Sequence, residues 1–130
     1  MFSHIMLGTD NFERACRFYD ATLSPLGIQR VEFDAPDSAA WKRPGESGGF
    51  WVGKPFDGQA SGSANGSMVA FIAPSRAAVD AAHAAALAAR GQDDGAPGIR
   101  AHYASDYYGA YVRDPDGHKL HFVRRGDDAR

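Results

Sequence analysis

The sequence of 130 residues contains a single cysteine, Cys16, and therefore cannot form an internal disulfide bond. This scarcity is typical of proteins in a reducing environment, so we expect a cytoplasmic location. No apolar run approaches the roughly 20 residues that a helix needs to span a bilayer. Charged residues at Asp10, Glu13, Arg14 and Arg17 interrupt the place where a secretory signal would need an apolar segment. We therefore expect no membrane partner.

An excess of basic charge is also lacking. The chain has 14 Lys and Arg residues against 16 Asp and Glu residues, which gives a formal net charge of −2. Without a positive field there is no reason to expect nucleic acid as a partner. The hydrophobic fraction of 44% and the charged fraction of 23% are ordinary for a globular protein. The length predicts one domain, over residues 1–126, followed by a short tail.

The first half of the chain predicts a strand, a helix and three more strands. Alternation in residues 2–7 places His4 on the strand face opposite Ile5. Asp10 is predicted to cap the helix, with Glu13 completing a capping box. Further strands are expected at residues 28–33, 39–42 and 49–53. The apolar stripe of the helix is formed by Phe12, Ala15, Cys16, Tyr19 and Leu23.

The second half repeats this order. Residues 67–73 read as an apolar strand, and Ser75 is predicted to cap a helix over residues 76–90. A shift of about 64 positions lays His4 on Met68, which is a weak but ordered internal repeat. We expect module one at residues 2–54, a Gly- and Ser-rich linker at 57–67 and module two at 67–125. The remaining strands are predicted at 99–103, 109–113 and 119–124, after a loop at 91–98. The predicted helix stripe is Val79, Ala82, Ala86 and Leu87.

The segment from Tyr107 to Arg125, YYGAYVRDPDGHKLHFVRR, predicts a β-hairpin. Its Asp-Pro-Asp-Gly centre is a tight turn, since Pro115 sets its own φ and Gly117 accepts a positive φ. Period-two alternation turns Phe122 toward the helix and His121 toward the other face of the sheet. The same parity argument applies to His4, so both imidazoles are expected on the face away from the helices.

These features together resemble the vicinal oxygen chelate superfamily, the glyoxalase, bleomycin-resistance and extradiol-dioxygenase group. The resemblance spans Phe2 to about Arg125 and is most specific at the DPDG turn. It implies an α+β fold in which two βαβββ modules form a cup-shaped, mixed but mainly antiparallel sheet. It also implies a homodimer and one divalent metal ion inside the cup.

Transferring the ligand positions of that family gives a degenerate metal site. His4 and His121 could hold Zn²⁺, Ni²⁺ or Fe²⁺. The other two positions fall on Trp51, which cannot ligate, and on Met68, whose thioether suits these ions poorly. A third ligand would have to come from water, from His102 or from a second chain.

Two functions follow, and the sequence leaves both open. In one, the metal acts as a Lewis acid for lyase, isomerase or dioxygenase chemistry. In the other, the cup binds and sequesters an aromatic small molecule without metal or catalysis. The side chains expected to line it are Trp51, Met68, His102, Tyr107, Tyr108 and Tyr111. His83 and His118 are expected near solvent, whereas Cys16 is expected to be a buried structural residue.

Overall fold

The computed structural model describes residues 1–32 and 35–126, and these form two modules with the same order of elements. Module one consists of β1 (His4–Gly8), α1 (Phe12–Leu23), a 3-10 turn (Ser24–Leu26), β2 (Gln29–Val31), β3 (Ser38–Lys42) and β4 (Gly49–Gly53). Module two consists of β5 (Met68–Ile72), α2 (Arg76–Ala88), β6 (Gln92–Ile99), β7 (Tyr108–Arg113) and β8 (Lys119–Arg124). The predicted α+β fold of two βαβββ modules is confirmed.

Each module forms a four-stranded mixed sheet. The strand orders are β1-β4-β3-β2 and β5-β8-β7-β6, with the first and last strand of each module parallel and the other pairs antiparallel. Within this register His4 lies opposite Gly49, and His121 lies between Ala70 on β5 and Tyr111 on β7. In the part of the chain that the structure describes, β1 and β5 each pair along one edge only.

The two modules share one hydrophobic core. Phe71 of β5 contacts Phe50 of β4 edge to face at 5.1 Å between ring centroids, and it also stacks with Phe122 at 6.3 Å. Helices α1 and α2 pack against each other. The predicted helix stripes are buried except at Phe12, which is partly buried, and Leu87, which is 39% exposed. The prediction for Leu87 was wrong because the buried residues of α2 end at Ala86, which leaves Leu87 outside the packed face. Neither helix of the described residues is long and apolar enough to cross a membrane.

The helix caps confirm one prediction and correct another. Ser75 caps α2 by accepting a hydrogen bond from the backbone N–H of Ala78 at 3.0 Å. Helix α1 is capped by Asn11, whose side chain accepts from the N–H of Arg14 at 3.1 Å. Asp10, the predicted cap, instead accepts from the N–H of Ser61 at 2.8 Å. A one-residue shift of this kind is common, because Asp and Asn cap helices about equally well.

Strand β6 was mispredicted. Residues 92–99 form the strand that the sequence placed in a loop, and residues 101–103, predicted as strand, form a turn. The Gly and Pro residues that suggested a loop are accommodated by register shifts against β7 between Asp93 and Gly95 and between Gly95 and Gly98. Such irregularities let a strand carry residues that normally interrupt one.

The DPDG turn ties the two modules together. Asp114 accepts a hydrogen bond from the hydroxyl of Tyr19 on α1. Asp116 accepts from Thr9 Oγ1 at 2.7 Å and pairs with Arg14 at 3.0 Å. The sequence predicted only turn chemistry for these carboxylates, since the contacts come from residues about 100 positions away. We call Asp114, Asp116 and the neighbouring His118 the hairpin clasp.

Two histidines expected near solvent are buried. His118 donates from Nε2 to the carbonyl oxygen of Gly8 at 2.7 Å, which adds a fourth contact of the hairpin clasp with module one. His83 on α2 pairs through Nε2 with Asp93 Oδ1 at 2.9 Å. That hydrogen bond lowers the pKa of the Asp93 carboxyl. Both predictions failed because the partners come from other elements. Cys16 is buried as predicted, and burial raises the pKa of its thiol.

Candidate ligand site

The structure separates the predicted site residues between two clefts on different modules. The module-one cleft, of about 370 Å³, is lined by Trp51 and His4 together with residues of β2, β3 and the turn before β4. The module-two cleft, of about 350 Å³, lies over the sheet formed by β5, β8, β7 and β6. The two clefts share no lining residue. The module-two cleft is lined by Met68, Asp94, Gly95, Arg100, His102, Tyr103, Tyr111 and Lys119.

His121 lies beneath the module-two cleft at the centre of a stack of three rings. Its imidazole is fully buried, 4.1 Å from the Tyr111 ring centroid and nearly parallel to it. Its second neighbour is Tyr107, whose ring centroid lies 5.7 Å from that of the imidazole and whose hydroxyl hydrogen-bonds with it. The predicted parity is confirmed, because Leu120 and Phe122 point into the core while His121 shares its face with Tyr111. We call Tyr107, His121 and Tyr111 the ring stack.

Both nitrogens of His121 have protein partners. Nδ1 lies 2.9 Å from the carbonyl oxygen of Ala110, which can only accept, so Nδ1 carries a proton. Nε2 lies 2.8 Å from the hydroxyl of Tyr107. Burial, with further contributions from the Arg100, Arg125 and Lys119 charges, lowers the pKa of His121, so the ring is neutral. Nε2 of this tautomer therefore accepts a hydrogen bond from the Tyr107 hydroxyl.

Tyr111 forms the half-buried end of the ring stack that lines the cleft. The guanidinium carbon of Arg100 lies 5.4 Å from its ring centroid, and Nζ of Lys119 lies 5.0 Å away. Burial and a hydrogen bond with Tyr103 raise the pKa of Tyr111 to about 12. The phenol is therefore protonated at neutral pH, so it offers a neutral aromatic surface rather than an anionic ligand.

Tyr108 does not line the module-two cleft. Its hydroxyl donates to Asp80 of α2 at 2.6 Å, and the guanidinium of Arg76 lies over its ring at 5.3 Å. Tyr108 pairs with Arg124 across the sheet, on the face opposite Tyr111. The prediction was wrong because adjacent strand residues point to opposite faces, so Tyr107 and Tyr108 could not both face the cleft.

Met68 and His102 both line the module-two cleft, as predicted, although His102 does so from a turn and not from a strand. Its ring lies 4.1 Å from that of Tyr103, which in turn lies 4.9 Å from Tyr107. The sequence did not identify Arg100, Tyr103 and Asp94 as site residues, because it predicted this strand at residues 99–103 whereas β6 spans Gln92–Ile99. Lys119 could have been included, because it has the parity of His121.

His4 is far less enclosed than His121. It is exposed, its Nδ1 lies 2.8 Å from Ser3 Oγ, and its ring centroid is 6.3 Å from that of Trp51. None of the clefts is lined by both His4 and His121 among the described residues. The structure therefore does not bring the two predicted ligands into one cleft.

The donor atoms do not fit a divalent metal. Within residues 1–32 and 35–126, no group of three or more His, Cys, Asp or Glu side chains could hold an ion. His121 could offer Nε2 only after Tyr107 had moved away, and its strand neighbour across β5 is Ala70, which has no donor. Structural and catalytic Zn²⁺ sites use three or four protein ligands.

The fold consists of two βαβββ modules that each carry a cleft, and comparison with known proteins supplies the family. A sequence profile of the Glyoxalase/Bleomycin resistance protein/Dioxygenase superfamily matches residues 1–122. The chain belongs to this superfamily. It matches none of the curated proteins with which it was compared.

Solved structures agree with this assignment. A glyoxalase/bleomycin resistance protein from Albidiferax ferrireducens T118 is 38% identical over 97% of this chain and 99% of its own, with a TM-score of 0.85. A glyoxalase-related enzyme from Fulvimarina pelagi is 19% identical over 96% and 88%, with a TM-score of 0.76. A lactoylglutathione lyase from Agrobacterium tumefaciens is 16% identical over 95% and 92%, with a TM-score of 0.64. The last two share the fold only.

Proposed function

We propose that this protein binds a planar aromatic small molecule in the module-two cleft, without a metal ion and without transforming it. The observation that carries the proposal is the ring stack. Both nitrogens of His121 are occupied by Tyr107 and Ala110, and the ring itself is covered by Tyr111. His121, which the family resemblance predicts as a metal ligand, is therefore buried beneath the floor of the cleft.

The cleft offers the contacts that aromatic ligands use. The rings of Tyr111 and Tyr103 provide flat surfaces for offset or edge-to-face stacking. Met68, which is half exposed at the start of β5, is a flexible apolar side chain that can adapt to ligand shape. A few polar groups beside apolar walls are typical of small-molecule pockets. Binding and sequestration need no more than these contacts.

The metal-dependent alternative needs more. His121 would have to lose its hydrogen bond from Tyr107, and at least one further ligand would have to come from His4, His102 or a second chain. The roles of His4 and His121 as ligands, and lyase or dioxygenase chemistry, stay predictions from the family resemblance. Metal analysis separates the two functions directly.

The first test measures binding of naphthalene probes by isothermal titration calorimetry in the presence of EDTA. We expect binding without metal, and we expect Tyr111→Leu to weaken it by up to about tenfold, since an aromatic pair contributes roughly 0.5–1.5 kcal/mol. Phe56→Leu is the matched control, because Phe56 is fully exposed and lies outside the cleft. Binding that requires a divalent ion would contradict the proposal. So would purified protein with one divalent ion per chain that His121→Ala removes.

The free strand edges favour a homodimer. The edges of β1 and β5 that carry no strand partner are flanked by the exposed apolar side chains of Ile5, Met6, Met68 and Ile72. An apolar sheet edge of this kind is readily covered by a second chain. A second copy on these edges would also extend the wall of each cleft, since Met68 lies at one of them.

A dimer built on these edges predicts a specific mutant. Wild-type protein should elute with the mass of two chains in size-exclusion chromatography with light scattering, and Ile72→Lys should shift it toward one chain at micromolar concentration. Phe56→Lys adds the same charge at an exposed apolar residue just before the linker and should leave the mass unchanged. A wild-type monomer, or a dimer insensitive to Ile72→Lys, would remove this proposal. The cytoplasmic location stays a prediction from the single cysteine.

A further inference from the structure

Two cations lie at the module-two cleft beside the same aromatic ring. The Arg100 guanidinium and the Lys119 ammonium are 5.4 and 5.0 Å from the centroid of Tyr111, and both residues line the cleft. Each belongs to a different element, since Lys119 opens β8 and Arg100 follows β6. Their convergence is therefore a product of the fold and was not visible in the sequence.

The carboxylate at the cleft does not neutralise this charge. Asp94 pairs with Arg113 Nε at 3.1 Å and with Lys119 Nζ at 3.6 Å, so one negative charge is shared between two cations. Arg100 donates to the carbonyl oxygens of Gly98 at 3.0 Å and Ala96 at 2.8 Å, which hold it in place without cancelling its charge. Among the described residues no carboxylate forms an ion pair with Arg100.

The cleft is therefore electropositive in a protein with a net charge of −2. A cleft walled by low-dielectric aromatic rings strengthens the attraction between such cations and an anion. Guanidinium in particular matches the planar geometry of a carboxylate.

We propose that the ligand of the module-two cleft is an aromatic carboxylate, with its ring packed against Tyr103 and Tyr111 and its carboxylate between Arg100 and Lys119. This inference rests on the proposed binding function and specifies its ligand class. The cation–π contacts of Arg100 and Lys119 with Tyr111 place positive charge next to an aromatic ring. An arenecarboxylate is complementary to this arrangement, because it carries a negative charge next to its own ring. A cationic aromatic compound would meet like charge at both residues.

The test compares three probes of the same ring and different charge: 2-naphthoate, 2-naphthamide and 2-naphthylmethylamine. Titration calorimetry on the full chain in EDTA should give naphthoate at least about tenfold tighter binding than naphthamide, and the amine the weakest, because charge-assisted hydrogen bonds are roughly twice as strong as neutral ones. Naphthoate binding should weaken as salt rises, whereas naphthamide binding should not.

Charge-removing variants locate the effect. Arg100→Gln and Lys119→Gln should each weaken naphthoate binding by at least about tenfold and leave naphthamide binding unchanged, in line with a hydrogen bond to a charged group. Arg17→Gln removes a positive charge at an exposed position on α1 and should change neither. Thermal unfolding checks that each variant is folded.

The outcomes separate the two proposals. Equal affinity for naphthoate and naphthamide, or tighter binding of the amine, would overturn the carboxylate inference. The proposed function would still stand if that binding depended on Tyr111. The carboxylate inference would also be overturned if Arg17→Gln weakened naphthoate binding as much as Arg100→Gln does, since the effect would then be one of overall charge. Failure of all three probes to bind would overturn the proposed function and the inference with it.

Discussion

Asp114→Ala should lower the free energy of unfolding by about 3–4 kcal/mol, because each buried donor left without its acceptor costs roughly 1–3 kcal/mol. Asp114 is buried and accepts hydrogen bonds from the Tyr19 hydroxyl and from the backbone N–H groups of Asp116 and His118, both at 2.9 Å. Its loss would disrupt the DPDG turn and one link between the modules together. Urea unfolding followed by circular dichroism measures the change.

Asp114→Asn is the matched control for shape, and it also tests the charge. Burial outweighs the hydrogen bonds and raises the pKa of the Asp114 carboxyl. A raised pKa in the folded state means that this group contributes stability below its ordinary pKa of about 3.9, and that the contribution is lost as the pH rises through the folded value. Relative to Asp114→Asn, the wild-type protein should therefore lose stability as the pH rises from about 4. An opposite slope, or an alanine variant as stable as the wild type, would contradict this role.

Gly109→Ala should destabilise the protein by about 2–3 kcal/mol, in the range of an overpacked core. A Cβ at Gly109 would lie 2.5 Å from His121 Cε1 and 3.2 Å from the carbonyl oxygen of Phe122. The imidazole cannot move aside easily, because Tyr107 and Ala110 hold its two nitrogens and Tyr111 covers its face. We expect the Tyr107 hydrogen bond to break, and naphthoate binding to weaken with it.

Gly98→Ala provides the control, since Gly98 is the cross-strand partner of Gly109 on β6. The nearest contact of its added Cβ would be the flexible end of Arg100, at 3.4 Å, so stability should change by less than about 1 kcal/mol. A double-mutant cycle makes the cause specific. In a His121→Ala background the ring is gone, so Gly109→Ala should cost much less than in the wild type. An equal cost in both backgrounds would show that the clash with His121 is not the reason.

The family-level prediction rested on local features and was confirmed. The DPDG turn, the repeated strand-helix order and the parity of His121 each depend on a few neighbouring residues. Period-two geometry separates His121 from Leu120 without any knowledge of the fold. The same rule, applied strictly, would have excluded Tyr108 from the site. Helix caps were predictable to within one residue, as Asn11 and Ser75 show.

The site itself depended on contacts that no local pattern encodes. His121 is a possible metal ligand in the sequence, and only the fold places the Tyr107 hydroxyl on its Nε2 and the Tyr111 ring on its face. Arg100 reaches the cleft because residues 92–99 form β6, with irregular pairing to β7. The Gly and Pro residues of this segment predict a loop instead, so the sequence does not reveal the position of Arg100.

By itself, the sequence determined the α+β fold, the two modules and the strand face of His121, because these follow from periodicities of a few residues. The tertiary structure decided that, among the described residues, His4 and His121 line no common cleft and that the DPDG turn contacts module one. It also placed Arg100 and Lys119 over the Tyr111 ring of module two. These outcomes depend on side chains far apart in the chain meeting in one place. Their energies are set by burial and charge at that place, which a linear pattern does not record.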